Sequence, residues 1–337
     1  MNSTKQHINN PLNTTDFKSY PLHFQPIFKE RIWGGNKLQS IGKKLPGNNI
    51  GESWEISMID TDVNIITDGV YQGKSLAELI DLYPNEILGT KVYQKYGKQF
   101  PLLFKFLDAK TDLSIQLHPN DELAKKRHNS FGKTEMWYIM QADENARIIL
   151  GFKNDSSSEE YLEHLENKSL PSVLQEYYVK KGDVFFIETG TIHAIGGGVL
   201  LAEIQQTSDI TYRVYDWDRV DEQGKARELH VDLALEAIHY GKRNPKIEYV
   251  KQEDQSVELV DCPFFTTKII SLTTAYKVQK STDCFLVYIC TEGSAKLSID
   301  QESFDIKQGE TILVPAQLNQ FELKGEATLL EVFINKI

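Results

Sequence analysis

Residues 182–193 read GDVFFIETGTIH, and residues 309–320 read GETILVPAQLNQ. Each phrase opens on a glycine followed by an acid, runs through a short apolar strand and enters a loop. Glycine and an acidic residue suit a tight turn, and β-branched and aromatic residues suit a buried strand. The first loop delivers His193 where the second delivers Gln320. A phrase repeated at this distance implies two related small β-units, one keeping a potential ligand and one without it.

Working outward, residues 114–121 read SIQLHPND. On a strand, residues i and i+2 share a face. Ser114, Gln116 and His118 then point one way, and Leu113, Ile115 and Leu117 the other. In GKTEMWYI, residues 132–139, Lys133, Glu135 and Trp137 share a face opposite Thr134, Met136 and Tyr138. A charged pair beside a tryptophan points to a cavity rather than bulk solvent. Taken singly, His118 or His193 reads as a structural histidine; His7, His23, His128, His164, His230 and His239 lack such a context. Two imidazoles, a carboxylate and an amide oxygen together make a four-ligand set for a divalent transition metal, with no thiolate and with room for water or substrate.

The rest of the chain is strand-rich and reads as mainly β. Short runs such as LLFKFLDA, ARIILGF, VLLAEIQQ and TYRVYDW are punctuated by Gly, Asp, Asn or Pro. Three stretches have helical spacing: one from Ser75, an N-cap with Glu78 three residues on; residues 156–175; and residues 231–241, ending in glycine. The economical reading is an antiparallel β scaffold with helical insertions in its N-terminal part. Residues 1–20 are read as a loose polar tail, 21–243 as a metal-binding domain, and 244–337 as a degenerate second domain without metal. Residues 244–260 within it are polar and read as a linker. IGGGV, residues 195–199, is read as a turn, because it lacks the spacing and lysine of a phosphate-cradling loop.

The 337 residues carry a formal net charge of -11, with 40% hydrophobic and 25% charged residues. That balance excludes nucleic acid or an anionic membrane as a bulk partner, so an anionic substrate needs a local basic pocket. The N-terminal stretch lacks the apolar core of a secretory signal, and no run is long enough to span a bilayer. Three cysteines, without metal spacing, fit a reducing, cytoplasmic setting.

Read in order, WGG, GESWEIS, LLFKFLDA, QLHPND, GKTEMWYI, GTIHAIGGG and EIQQTSDITYRVYDWDR form a highly specific set. The phrase Gly-x5-Glu-x-Gly-x2-His at 182–193 is close to a signature of the cupin barrel. The whole resembles class I mannose-6-phosphate isomerases in their short bacterial form, from about residue 28 to the C-terminus. The resemblance implies two cupin-type jelly-roll barrels. It implies one zinc per chain, held in the first barrel by Gln116, His118, Glu135 and His193. Ser208, Asp209 and Arg213 look like the family's Ser-Asp-x3-Arg element, with Arg213 as the essential catalytic arginine. The family's Lys-Pro-Glu is here Lys133-Thr134-Glu135, which leaves both functional side chains in register.

The implied reaction interconverts mannose 6-phosphate and fructose 6-phosphate through a cis-enediol(ate). A metal near O1 and O2 polarises the carbonyl, Arg213 balances the developing charge, and Lys133 is a candidate for proton traffic or an anionic contact. A continuous strand would put Asp209 and Arg213 on one face. Ser114 and Lys105 are candidates for the phosphate, and the proton-transferring group is left open. The expected partner is a small sugar phosphate, with the chain a monomer or homodimer. The rivals are a non-catalytic sugar-binding or regulatory cupin, a cupin oxygenase, and an isomerase of other aldoses.

Overall fold

The computed structural model describes residues 17–220 and 223–336, and three antiparallel sheets organise them. In the first, Val184–Ile187, Glu135–Ala142, Val199–Gln206 and Leu102–Ala109 lie side by side, flanked by Lys246–Ile247 at one edge and by Ile27–Gly35 and Ile50–Ile56 at the other. The second runs Leu174–Tyr178, Arg147–Phe152, His193–Ile195, Ile115–Leu117, Tyr212–Tyr215. The third gathers the C-terminal strands, with Leu22–His23 added at its edge.

Period-two alternation distributes side chains between layers. From the seven-stranded sheet, Leu107, Trp137, Phe185 and Leu201 meet Ile148, Leu150 and Ile195 of the five-stranded sheet. Their neighbours Phe104, Phe106, Met136 and Ala202 face the other way, into a core shared with Ile269, Val287 and Leu330 of the C-terminal sheet. The central strands Leu102–Ala109 and Val199–Gln206 are therefore buried at every residue. The outer face of the five-stranded sheet, carrying Ile115, Leu117, Ala194 and Val214, shares a core with Tyr161, Leu170 and Ala234 of helices Ser158–Glu166, Leu170–Val173 and Val231–Ala237. In the C-terminal half, Leu286–Ile299 and Gln320–Phe333 pair along most of their length and curl around a separate core of Ile270, Tyr288, Leu297 and Leu329. The sheets are cupin-like but open rather than closed barrels.

The repeated phrase is one corner built twice. Gly182 and Gly309 both adopt left-handed backbone, φ 91° and 80°, which a residue with a Cβ tolerates poorly. The next residue then closes the turn: Asp183 accepts from Lys180 N at 3.0 Å, and Glu310 from Lys307 N at 2.8 Å. Each corner is anchored to its neighbouring strand by the same pair of bonds. Gly182 N donates to Ile139 O, and Ile139 N to Asp183 O; Gly309 N donates to Cys290 O, and Cys290 N to Glu310 O.

Ser75 caps Leu76–Leu82 with the expected reciprocal bond to Glu78. Two helices were not expected: Thr90–Tyr96, and Asp121–His128, capped by Asn120 accepting from Leu123 N. The Pro-Asn-Asp after His118 thus starts a helix. The third expected helix, Val231–Ala237, stops short of Gly241. Residues 195–199 do turn between strands. The stretch read as a linker is structured at both ends: Lys246–Ile247 pairs with Val184–Phe185, and Ser256–Asp261 pairs with Thr266–Leu272. The expected loose tail lies outside the described residues through residue 16. Its last residues are packed, since Tyr20 stacks between Tyr71 and Phe304.

The two halves are tied by Leu22–His23, by backbone bonds from Phe285 N to Leu88 O and Ala316 N to Ile87 O, and by the shared core. Fully buried Phe285 packs on Phe100 at 4.8 Å. All four tryptophans lie in the N-terminal half, so their fluorescence reports that half alone. Phe285→Ala should cost about 3–5 kcal/mol and shift the urea midpoints read by fluorescence and by far-ultraviolet circular dichroism together. A fluorescence midpoint that stays put would mean that the halves unfold independently.

Candidate active site

His193–Ile195 lies between Arg147–Phe152 and Ile115–Leu117, and Tyr212–Tyr215 follows at the edge. Register brings His193 opposite Gln116, and Gln116 opposite Arg213. Three polar side chains thus stand abreast on adjacent strands, and all three line a cavity of about 460 Å³. Across it stands Trp137, its ring edge-on to His193 at 5.5 Å.

Among the described residues, His118, Glu135 and His193 are grouped with one ligand atom each within 4.8 Å of one another, all buried. His118 Nε2 and His193 Nε2 lie 3.6 Å from the two Glu135 oxygens. The other ring nitrogens face backbone carbonyls: His118 Nδ1 meets Ile210 O at 2.8 Å, and His193 Nδ1 meets Thr191 O at 2.9 Å. Carbonyls only accept, so each Nδ1 carries the proton and each Nε2 presents a lone pair to the group. Burial drives the His118 pKa well below the usual value and that of His193 to about 4, so both rings are neutral. His118 Nε2 and both Glu135 oxygens have no hydrogen-bond partner. A buried carboxylate facing two imidazole nitrogens, with both its oxygens and His118 Nε2 left without a hydrogen bond, is a donor set that a divalent cation completes. Gln116 adjoins it, its amide nitrogen 3.5 Å from His193 Nε2 and its oxygen accepting from Ser114 Oγ at 3.2 Å. Turning the amide over puts the oxygen toward the group.

Lys133 Nζ pairs with Glu135 at 3.2 Å and with Glu203 at 3.9 Å. Burial pulls its pKa down, but Glu135 and Glu203 outweigh burial and hold it above the usual lysine value. Burial pushes Glu135 up to about 7, opposed by Lys133. The pairing continues: Lys105 lies 3.3 Å from Glu203 and 3.9 Å from Glu52, and Glu52 accepts from Arg31 Nε at 2.8 Å. Two indoles complete it, Trp137 donating to Glu203 at 3.0 Å and Trp54 to Glu52 at 2.6 Å. Burial would raise Glu52, but Lys105 and Arg31 outweigh burial and set it at about 2.

Lys133, Ser114 and Lys105 of the expected set line the cavity, as does Arg213, whose Nε meets Ser114 Oγ at 3.3 Å. Asp209 differs from expectation. Its strand begins only at Tyr212, so the continuous strand that would align it with Arg213 does not form. Asp209 sits in the preceding connection, exposed but still on the cavity, and makes no ion pair with Arg213 among the described residues. Glu203, Glu52 and Arg227 were not anticipated. The first two had a signal: an acid inside runs as apolar as VLLAEIQQ and IGESWEI is costly to bury unless paired.

Residues 22–151 match the family model of the type I phosphomannose isomerase catalytic domain, and residues 255–334 that of the mannose-6-phosphate isomerase cupin domain. The chain is 37% identical over 311 residues to the mannose-6-phosphate isomerase ManA of Bacillus subtilis (strain 168), covering 91% of this chain and 96% of that one. It belongs to the mannose-6-phosphate isomerase family. The Streptococcus mutans mannose-6-phosphate isomerase is 34% identical over 94% of this chain and 99% of its own. A crystal structure of the Bacillus subtilis mannose 6-phosphate isomerase superposes with a TM-score of 0.85 at 34% identity, covering 94% of this chain and 99% of that chain. A phosphomannose isomerase variant from Salmonella typhimurium shares the fold at 16% identity, with a TM-score of 0.78 over 94% of this chain and all of that one.

For this family member, the donor set predicts metal content directly. Purified protein should hold about one divalent ion per chain. His118→Ala, His193→Ala and Glu135→Gln should each lose it on dialysis, as read by elemental analysis. Full metal content in all three variants would place the ion elsewhere.

Proposed function

We propose that this chain interconverts mannose 6-phosphate and fructose 6-phosphate by proton transfer between C1 and C2 through a cis-enediol. The observation that carries the reading is the buried His118–Glu135–His193 group beside Gln116, at the wall of a polar cavity that also holds Lys133 and Arg213. Zinc is the proposed metal, one per chain and confined to the N-terminal unit, with Gln116, His118, Glu135 and His193 as its ligands. Bound there, the ion would act as a Lewis acid on the sugar carbonyl and hold the developing negative charge.

The chain's own groups supply the rest. The Ile210 and Thr191 carbonyls fix the ring orientation of His118 and His193, so ligand geometry is set before substrate arrives. Lys133, held charged between Glu135 and Glu203, presents an ammonium to a sugar oxygen. Arg213 is a fixed cation for the enediolate, since a guanidinium stays protonated at any working pH. Glu52, Glu203 and Asp62 are engaged in ion pairs around the cavity, whereas Asp209, which also lines it, makes no ion pair among the described residues. That leaves Asp209 as the carboxylate free to shuttle a proton. Trp33, Trp54 and Trp137 help wall the cavity and exclude water from a reactive enediol.

No helix among the described residues is long and apolar enough to cross a membrane. The proposal includes a cytoplasmic setting, which three free cysteines fit, a small sugar phosphate as partner, and a monomer or homodimer.

The test is a coupled isomerisation assay with mannose 6-phosphate and fructose 6-phosphate, run beside oxygen uptake and metal analysis. Isomerisation without oxygen uptake is expected. Its absence in metal-replete protein would favour a sugar-binding cupin, and oxygen uptake an oxygenase. Arg213→Ala separates the roles further. If Arg213 balances charge at the reacting carbons, turnover should fall about 10²–10³-fold while the Michaelis constant changes little. Normal turnover in a folded, metal-replete variant would remove the assignment.

A further inference from the structure

The repeat seen at the two corners runs on into the strands behind the cavity. In the N-terminal unit Glu203 sits between Trp137 on one neighbouring strand and Lys105 on the other, and accepts from the Trp137 indole. In the C-terminal unit Glu331 sits between Tyr288 and Lys268 in the same order, and accepts from the Tyr288 hydroxyl at 2.6 Å. Register fixes the match. Trp137 pairs with Phe185, the third residue after Gly182, and Tyr288 pairs with Ile312, the third after Gly309. The facing strands match as well: His193 pairs with Gln116, and Gln320 with Gln279. Counted along the strands from these pairs, Leu286 takes the place of Glu135, Cys284 that of Lys133 and Ser281 that of His118. The metal donors are lost in the second unit, whereas the acid–lysine row behind them is kept.

The hollow is kept too. A cavity of about 340 Å³ opens at the matching place, lined by Lys268, Glu331, Gln279, Ser281 and Cys284. That volume falls within the range of small-molecule sites, about 300–1,000 Å³. Its charge is unbalanced. Lys91, Lys268, Lys277 and Lys280 line it against only Asp283 and Glu331, an excess of two positive charges. Lys91 pairs with Asp283 at 3.1 Å, and the other three lysines form no ion pair among the described residues. Lys280 is half-buried, and its Nζ donates to the Cys284 and Ala316 carbonyls at 3.0 and 2.9 Å. Burial lowers its pKa to about 8. A cation fixed in the wall and short of a carboxylate is answered by an anion in the cavity.

We propose that the C-terminal cavity is a metal-free binding site for a hexose phosphate, separate from the candidate active site. A phosphate dianion matches the two excess charges. Glu331, Gln279 and Ser281 offer acceptors and donors to ring hydroxyls, and Phe333 adds an aromatic wall. No isomerisation is expected there, because Leu286 stands in the place of the Glu135 carboxylate and Cys284 in that of the Lys133 ammonium. Lys91, on helix Thr90–Tyr96 of the N-terminal half, also lines the cavity, so an occupant touches both halves. The assignment rests on register and charge in the second unit and holds whether or not the N-terminal cavity isomerises a sugar.

The experiment is equilibrium dialysis of the metal-loaded chain against labelled fructose 6-phosphate, which counts bound hexose phosphate whichever isomer it becomes. Wild type should saturate at about two molecules per chain, one in each unit. In Lys268→Ala and in Lys277→Glu the C-terminal site should weaken at least about tenfold, with turnover on mannose 6-phosphate within about twofold. Lys277 is exposed, so its reversal carries the test should Lys268→Ala fail to fold. A single site unmoved by either substitution, or two sites both unmoved, would overturn the proposal. So would inorganic phosphate displacing the variant-sensitive molecule as well as unlabelled fructose 6-phosphate does, because the cavity would then hold an anion and no sugar. Two bound molecules, one of them lost in the variants, in a wild type without turnover would sink the isomerase reading and keep this site.

Discussion

Glu135 sets the terms for the rest of the site. Its carboxylate is wholly buried, and neither oxygen receives a hydrogen bond. A lone carboxylate in that position would be too costly to hold charged and would take up a proton instead. Lys133 answers the charge, but Lys133 is itself buried and needs more than Glu135 alone. Glu203 supplies that and in turn requires Lys105, which requires Glu52, which ends at the half-exposed Arg31. The chain of alternating charge thus runs from the histidines to solvent. The Trp137 indole satisfies the Glu203 oxygen that the lysines leave open, and the Trp54 indole bonds the Glu52 oxygen that Lys105 approaches only at 3.9 Å. Removing Lys133 leaves the buried Glu135 carboxylate without an ion-pair partner, and breaking a buried pair in this way typically costs about 3–5 kcal/mol. The floor of the cavity is therefore stiff, and the Glu135 carboxylate is held in place from behind.

The fold exists in part to make that burial possible. Glu135, Glu203 and Lys105 sit on adjacent strands of the seven-stranded sheet, with Gln205 opposite Glu135 and Glu203 opposite Lys105. Their odd-numbered neighbours face the cavity, while Phe104, Phe106, Met136 and Ile204 face away. Those apolar side chains need a cover, and the C-terminal sheet provides it. This gives the second unit a physical role that needs no ligand of its own. Its corner at Gly309 repeats the hydrogen bonds of the corner at Gly182, yet Gln320, the counterpart of His193 in the repeated phrase, is exposed at the start of a strand.

Sequence reasoning reached what period-two alternation and turn chemistry encode. Ser114 and Gln116 do face the cavity, while Ile115 and Leu117 are fully buried on the other side. Lys133 and Trp137 line it, with Met136 and Tyr138 in the core behind. The glycine–acid phrase did mark a recurring corner. Alternation failed where the strand did not extend far enough: Asp209 lies before the Arg213 strand, so a spacing of four said nothing about their shared face. The helix at Asp121–His128 was hidden because its cap, Asn120, looked like the end of a strand rather than the start of a helix. Arg227 carried no local signal. Its position depends on Asp216, eleven residues earlier, and only the folded chain brings the fork together.

The electrostatic layout resolves a tension present from the start, an acidic chain of net charge -11 acting on an anion. A uniformly basic pocket would attract the phosphate but would also spoil the metal site, because nearby cations weaken a carboxylate as a ligand and repel a divalent ion. Here the two demands are separated in space. Around Glu135 the cations Lys133, Lys105 and Arg31 are paired with Glu135, Glu203 and Glu52. The one cavity cation without an ion pair among the described residues is Arg213, beyond Gln116 in the strand order. Arginine suits that place because it keeps its charge where burial and neighbouring cations would neutralise a lysine. Low-dielectric walls of tryptophan concentrate the field of that cation within the cavity. The same separation constrains the substrate: a sugar whose reacting end meets both the histidines and Arg213 has to lie across Gln116, which stands between them in the strand order.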